Sequence, residues 1–151
     1  MSAVDPRPPC GQADETWLIE LSGSELASVA PDGPDLLVTL SAARVSGDRS
    51  QLDLHLGGGH LRGVRCRLHQ ACWTGEPSHL IGRIDDATWR TEVDAGTPQR
   101  RQSGQVCVPS EGLQPVHLWL QTAMGDTLIV QAQGWHIERP PQGSFSPSLA
   151  C

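Results

Sequence analysis

The first residues to examine for chemistry are the thiols and the imidazole between Cys66 and Cys72. Cysteine and histidine at close spacing are typical zinc ligands. In an extended strand, however, residues two positions apart share a face, so Cys66 and Cys72 point to one side and His69 to the other. The three cannot close one tetrahedral shell from a flat strand. Free cysteine is among the most buried residue types, so we predict structural cysteines, no metal site and no cofactor.

A second segment with potential chemistry is the glycine run Gly57–Gly59 between His55 and His60. A His-Gly-Gly-Gly run supplies oxyanion donors in some esterases, but here Leu56 follows the histidine and the chain has no Gly-x-Ser-x-Gly elbow. The run is therefore interpreted as a hairpin loop. No local signature singles out a serine–histidine–aspartate triad, so no catalytic residue is predicted.

The strongest candidate for recognition is a basic strip on one predicted strand. Arg65, Arg67 and His69 alternate with apolar residues, Trp73 follows them, and Arg62 precedes them. Arginine and tryptophan are enriched at binding hot spots. Because the chain has no lysine, every positively charged contact depends on the planar fork of arginine. These five residues are predicted to bind a partner.

Trp119 is the sixth predicted binding residue. It shares the off-core positions of a second predicted hairpin with Gln121, Gln131 and Gln133. Glutamine amides can donate to and accept from sugar hydroxyls or a peptide backbone. The chain has a single phenylalanine, so tryptophans are also needed to fill the interior. Core packing is the expected role of three of them: Trp17, Trp89 and Trp135.

The elements that must position these residues are β-strands, because the dominant hydrophobic period is two. Strand patterns run over Trp17–Ser22, Leu36–Ala43, Leu52–Leu56, Val64–His69, Val116–Gln121 and Leu128–Gln133, with weaker candidates at Ser78–Ile84, Thr88–Val93 and Gln105–Val108. Turn residues separate them. The sequence predicts an all-β fold, a single-domain antiparallel β-sandwich or barrel of about eight strands. Only Ser24–Val29 has the pattern of a short helix.

Two hairpins can be given a register by requiring paired residues to share a face. A loop over the glycine run would pair Leu52 with Cys66. A turn over Met124–Asp126 would pair Leu120 with Val130.

The ends of the chain differ in composition from the middle. Residues 1–14 and the Pro/Ser-rich residues 139–151 lack strand patterns and are predicted to be disordered, which leaves 15–138 as the folded domain.

Composition limits the class of partner. The 151 residues carry a net charge of −6, which argues against nucleic acid as a partner because nucleic acid requires a basic face. No apolar stretch approaches the roughly 18 residues needed to span a membrane.

The missing lysine, asparagine and tyrosine indicate a GC-rich bacterial genome. With no apolar leader pattern and an odd count of five cysteines, we expect a cytoplasmic protein whose thiols are all reduced.

The leading hypothesis is a non-enzymatic cytoplasmic module that binds another protein through one sheet face. A domain that binds carbohydrate or another small ligand is the first alternative, and an uncharacterised hydrolase is the second.

Overall fold

The computed structural model describes residues 17–47, 59–91, 104–141 and 143–147. These residues contain no α-helix and one short 3-10 turn, Pro77–His79. Their strands are β1 (Trp17–Asp32), β2 (Asp35–Gly47), β3 (Gly59–His69), β4 (Cys72–Thr74), β5 (Gly82–Thr91), β6 (Gln105–Val108), β7 (Ser110–Gly112), β8 (Val116–Thr122), β9 (Thr127–Ala132), β10 (Gly134–Ile137) and β11 (Phe145–Pro147). The prediction for residues 1–14 lies outside this described part.

The strands form one antiparallel sheet in the order β4-β9-β8-β5-β1-β2-β3-β10-β7, with β6 beside β1 and β11 beside β3. Its two end strands, β4 and β7, do not pair with each other, so the sheet is open. The predicted all-β antiparallel class is confirmed. Among the described residues, no helix is long and apolar enough to cross a membrane.

The sheet divides at a weak junction. Strands β5, β8, β9 and β4 are here called the four-stranded half. Among the described residues, they pair with the other strands of the sheet at two positions, Glu25 with Arg83 and Leu26 with Gly82. The other seven strands form the seven-stranded half. Trp89 of the four-stranded half packs edge-on against Trp135 of the seven-stranded half, with ring centroids 5.7 Å apart. The apolar faces of the two halves therefore share one core.

The hairpin of β8 and β9 has the predicted faces but a different register. Leu120 is buried as expected, yet it pairs with Leu128 and not with Val130. The N–H of Gly125 donates to the carbonyl of Thr122 over 2.9 Å, and Gly125 has φ +97°. A glycine in this left-handed conformation ends a tight hairpin turn. The turn is therefore centred earlier in the chain, and every pair shifts by two residues.

The predicted pairing of Leu52 with Cys66 is wrong. Cys66 lies between Val38 of β2 and Ile137 of β10, so both sides of its strand are occupied. Leu52 itself is outside the described residues.

The predicted helix at Ser24–Val29 is also wrong, because this segment continues β1. Gly23 adopts φ +89° and forms an irregularity in the strand. The fully buried Ser24 hydroxyl donates to the Glu20 carbonyl over 2.7 Å and accepts the Arg44 N–H over 2.9 Å. The irregularity moves the inward positions to a spacing of three, which resembles one face of a helix.

The folded domain extends beyond the predicted boundary at Glu138. Phe145–Pro147 forms β11 and pairs with the first residues of β3. The Phe145 ring stacks on Trp17 with centroids 4.6 Å apart. The contact of Phe145 with Trp17 therefore holds part of the proline-rich C-terminal segment against the sheet.

Candidate functional site

Two of the predicted binding residues, Arg67 and His69, are held by carboxylates of the chain itself. The Arg67 Nη1 atom lies 2.9 Å from Asp32 Oδ2 and 3.3 Å from Asp35 Oδ2. The His69 Nδ1 atom lies 3.6 Å from the same Asp35 oxygen. These contacts join the end of β3 to the β1–β2 turn, so the local charge is largely neutralised.

Asp35 is the centre of this cluster. Its Oδ1 atom accepts the backbone N–H of Gln70 over 2.9 Å. That hydrogen bond is the main reason why the pKa of Asp35 is lowered, and hydrogen bonds from Arg67 and His69 lower it further. Gln70 needs the support because it has φ +48°, an uncommon conformation for a residue with a side chain. The cluster therefore has a structural function.

The remaining basic side chains of this outer face differ in their contacts. Arg62 is exposed, and its Nη2 atom donates to the Gly143 carbonyl over 3.3 Å. The His136 Nδ1 atom lies 3.0 Å from Glu111 Oε1. Arg65 is exposed and forms no ion pair with any described residue. Of the predicted strip, only Arg65 remains fully available to a partner.

Trp73 does not lie with the arginines. The chain leaves the seven-stranded half at Gln70, and Trp73 belongs to β4 in the four-stranded half. There it pairs with the buried Val130, and its half-buried side chain packs against the core. The turn at Gln70 interrupts the strand alternation on which the predicted strip depended.

Trp119 lies at the centre of the outer face of the four-stranded half. Its cross-strand neighbours are Thr88 of β5 and Ile129 of β9, and Ile129 in turn neighbours Thr74 of β4. Ile129 is 47% exposed, whereas Trp119 and Thr88 are half-buried. The face thus has an apolar centre.

Polar rows flank this centre on both sides. One row crosses the sheet through Cys72, Gln131, His117 and Arg90. The other contains Gln121, with Thr127 and Asp86 on either side of it. We call the nine residues of the central row, the Cys72–Arg90 row and Gln121 the Trp119 face.

The two outer faces differ in how their side chains are occupied. On the seven-stranded half, Arg67, His69 and His136 each lie against a carboxylate. On the Trp119 face, no described residue forms a side-chain hydrogen bond or ion pair with Arg90, His117 or Gln131. The sequence had indicated Trp119 and the glutamines. Ile129 could have been recognised by the same alternation, as an apolar residue at an off-core position.

A small cavity lies between the halves. Its volume is about 20 Å³, and its lining is apolar, including Leu40, Cys66, Trp89 and Leu118. This space is about the size of one water molecule, and an apolar cavity of this size normally stays dry. It is too small for a metabolite.

The cysteines differ in state. Cys66 is free and buried, and burial raises the pKa of its thiol to about 12. Cys72 is free and exposed. Cys107 is disulfide-bonded, so the prediction of reduced thiols is wrong for this residue. Neither Cys66 nor Cys72 is its partner, because both are free. No group of three or more potential ligands among the described residues could hold a metal ion.

Comparison with known proteins finds no matching family model, no similar curated protein and no similar solved structure.

Proposed function

We propose that the chain is a non-enzymatic binding module that engages another protein through the Trp119 face. The observation that carries this proposal is the central row, where the exposed Ile129 lies beside Trp119. An apolar centre surrounded by polar side chains is the usual anatomy of a protein–protein interface. Tryptophan near such a centre is a typical hot spot.

This proposal replaces the predicted arginine strip by a different face of the same domain. Arg67 and His69 would have to give up their contacts with Asp35 before they could bind a partner. The side chains of the Trp119 face have no such contacts with described residues to break. Of the six predicted binding residues, Trp119 is therefore retained as the central one.

Carbohydrate is the second candidate ligand, and the amides of Gln121 and Gln131 favour it. Ile129 argues for protein, because an exposed aliphatic side chain offers a sugar no hydrogen bond, whereas it adds apolar area to a protein contact.

The predicted cytoplasmic location depended partly on reduced thiols. Disulfides persist mainly in oxidising compartments. Because Cys107 is disulfide-bonded, we propose that the module works in such a compartment.

The experiment uses a photo-crosslinking amino acid at Thr88, within the central row, in the full chain. The same amino acid at Leu113, which is 93% exposed and outside the face, is the matched control. We expect one or more proteins to be captured from Thr88 and not from Leu113. Binding of a captured protein is then measured with purified Trp119→Ala and Arg65→Glu variants.

Trp119→Ala should weaken this binding by roughly tenfold or more, whereas Arg65→Glu should leave it unchanged. Equal capture from both positions, or equal affinity of Trp119→Ala and the unmodified chain, would contradict the proposal. Binding to a glycan array that is lost in Trp119→Ala would favour the second candidate.

A further inference from the structure

Two basic side chains lie directly opposite each other on the Trp119 face. Arg90 of β5 is the cross-strand partner of His117 of β8, and both are exposed. Neither forms an ion pair with a described residue. The neighbouring strands offer the pair no carboxylate in this row, since the next residues across the sheet are Gln131 and Cys72.

This arrangement differs from that of two basic groups on the seven-stranded half. Arg67 has two carboxylates within 3.3 Å, and His136 has one at 3.0 Å. On the Trp119 face, Asp86 lies in the row beyond Thr88, and its Oδ1 atom already accepts the Ala87 N–H over 2.9 Å. No carboxylate of the described residues therefore forms an ion pair with this corner of the face, and the Arg90 guanidinium is open to a partner's carboxylate.

We infer that the partner is an acidic protein segment that places a carboxylate against Arg90 and His117 and an apolar side chain against Trp119 and Ile129. The inference rests on the proposed function. Charge complementarity selects the carboxylate, because the guanidinium fork of arginine matches its two oxygens. The uncharged centre selects the apolar side chain.

The spacing of the two contacts defines the segment further. His117 and Trp119 are two residues apart on one strand, so their rows are separated by about 6.8 Å. An extended segment presents side chains on one face at this same interval. The partner therefore carries its acidic residue two positions from an aliphatic or aromatic residue.

A displayed library of random peptides tests this inference on the full chain. Peptides are selected on the unmodified chain, and those that still bind Trp119→Ala are discarded. We expect enrichment of aspartate or glutamate two positions from an apolar residue. The same selection on Arg90→Glu should lose the acidic preference and enrich lysine or arginine.

A synthetic copy of a selected peptide then measures the contribution of charge. Replacing its acidic residue by the amide should weaken binding roughly three- to tenfold, and added salt should reduce the difference. Arg65→Glu is the matched control, because Arg65 is another exposed arginine without an ion pair and lies on the other half. Its affinity for the peptide should be unchanged.

The outcomes separate the inference from the proposed function. Trp119-dependent peptides without an acidic preference would overturn the inference and leave the proposed function standing. An equal loss of binding in Arg65→Glu and Arg90→Glu would show that net charge alone causes the effect, and this result would also overturn the inference. If no Trp119-dependent peptide is selected at all, both are rejected.

Discussion

Gly112→Ala is expected to destabilise the protein, because the indole of Trp135 lies directly over Gly112. A Cβ atom at this position would approach three atoms of the Trp135 six-membered ring, Cζ2, Cη2 and Cζ3, to less than 3.0 Å. The ring has little room to move. It is 9% exposed, packs on Trp89 and donates through Nε1 to Ser110 Oγ over 3.2 Å.

The magnitude follows from these contacts. Gly112 does not have a positive φ, so the added methyl group introduces no backbone strain of its own. Overpacking a well-packed site costs about 1–3 kcal/mol. Displacing the ring also breaks the hydrogen bond to Ser110, which adds about 0.5–1.5 kcal/mol. We expect the free energy of unfolding to fall by about 1.5–4.5 kcal/mol.

Urea unfolding followed by circular dichroism measures this change, and a double-mutant cycle identifies its cause. Phenylalanine lacks the outer indole atoms, so in a Trp135→Phe background Gly112→Ala should cost less than about 0.5 kcal/mol. A similar cost in both backgrounds would place the cause in the backbone. No cost in the native background would show that the ring does not occupy this position.

Two further predictions concern titratable groups. Asp35→Asn removes a carboxylate whose pKa is held below its ordinary value of 3.8, mainly by the N–H of Gln70. The stabilisation that this carboxylate contributes is present above that value and is lost as pH falls through the lower folded-state pKa. Between about pH 6 and about pH 3, the free energy of unfolding measured with urea should therefore fall more in the native chain than in the variant. Parallel losses would refute this. Iodoacetamide at about pH 8 should alkylate Cys72 and spare Cys66, because burial raises the pKa of the Cys66 thiol to about 12. Mass spectrometry measures the modification of each thiol, with Cys72→Ser as the control. Equally fast modification of both thiols would contradict the buried position of Cys66.

Most of the strands could be predicted because their apolar residues alternate regularly. Val116, Leu118 and Leu120 all point inward as their spacing indicates. The pairing between strands was harder, because it depends on where a turn begins. The register around Gly125 was shifted by two residues although both faces were correct.

The candidate site was predicted only in part, for a physical reason. The sequence shows that Arg67 alternates with apolar residues, but not that Asp32 and Asp35 lie beside it, since those residues are more than 30 positions away in the chain. The same holds for Arg90 and His117, which belong to different strands and become neighbours only through the sheet. Trp119 was recognised because its surroundings are mostly local to one hairpin.

The contact between Trp89 and Trp135 gives the molecule an optical signal of its own. Indole rings whose centroids are 5.7 Å apart couple their electronic transitions, and these two rings belong to opposite halves of a sheet that is joined by two residue pairs. The coupling exists only while the halves are packed together, and no tyrosine obscures it. Circular dichroism in the indole bands can therefore report a parting of the halves before either half has unfolded.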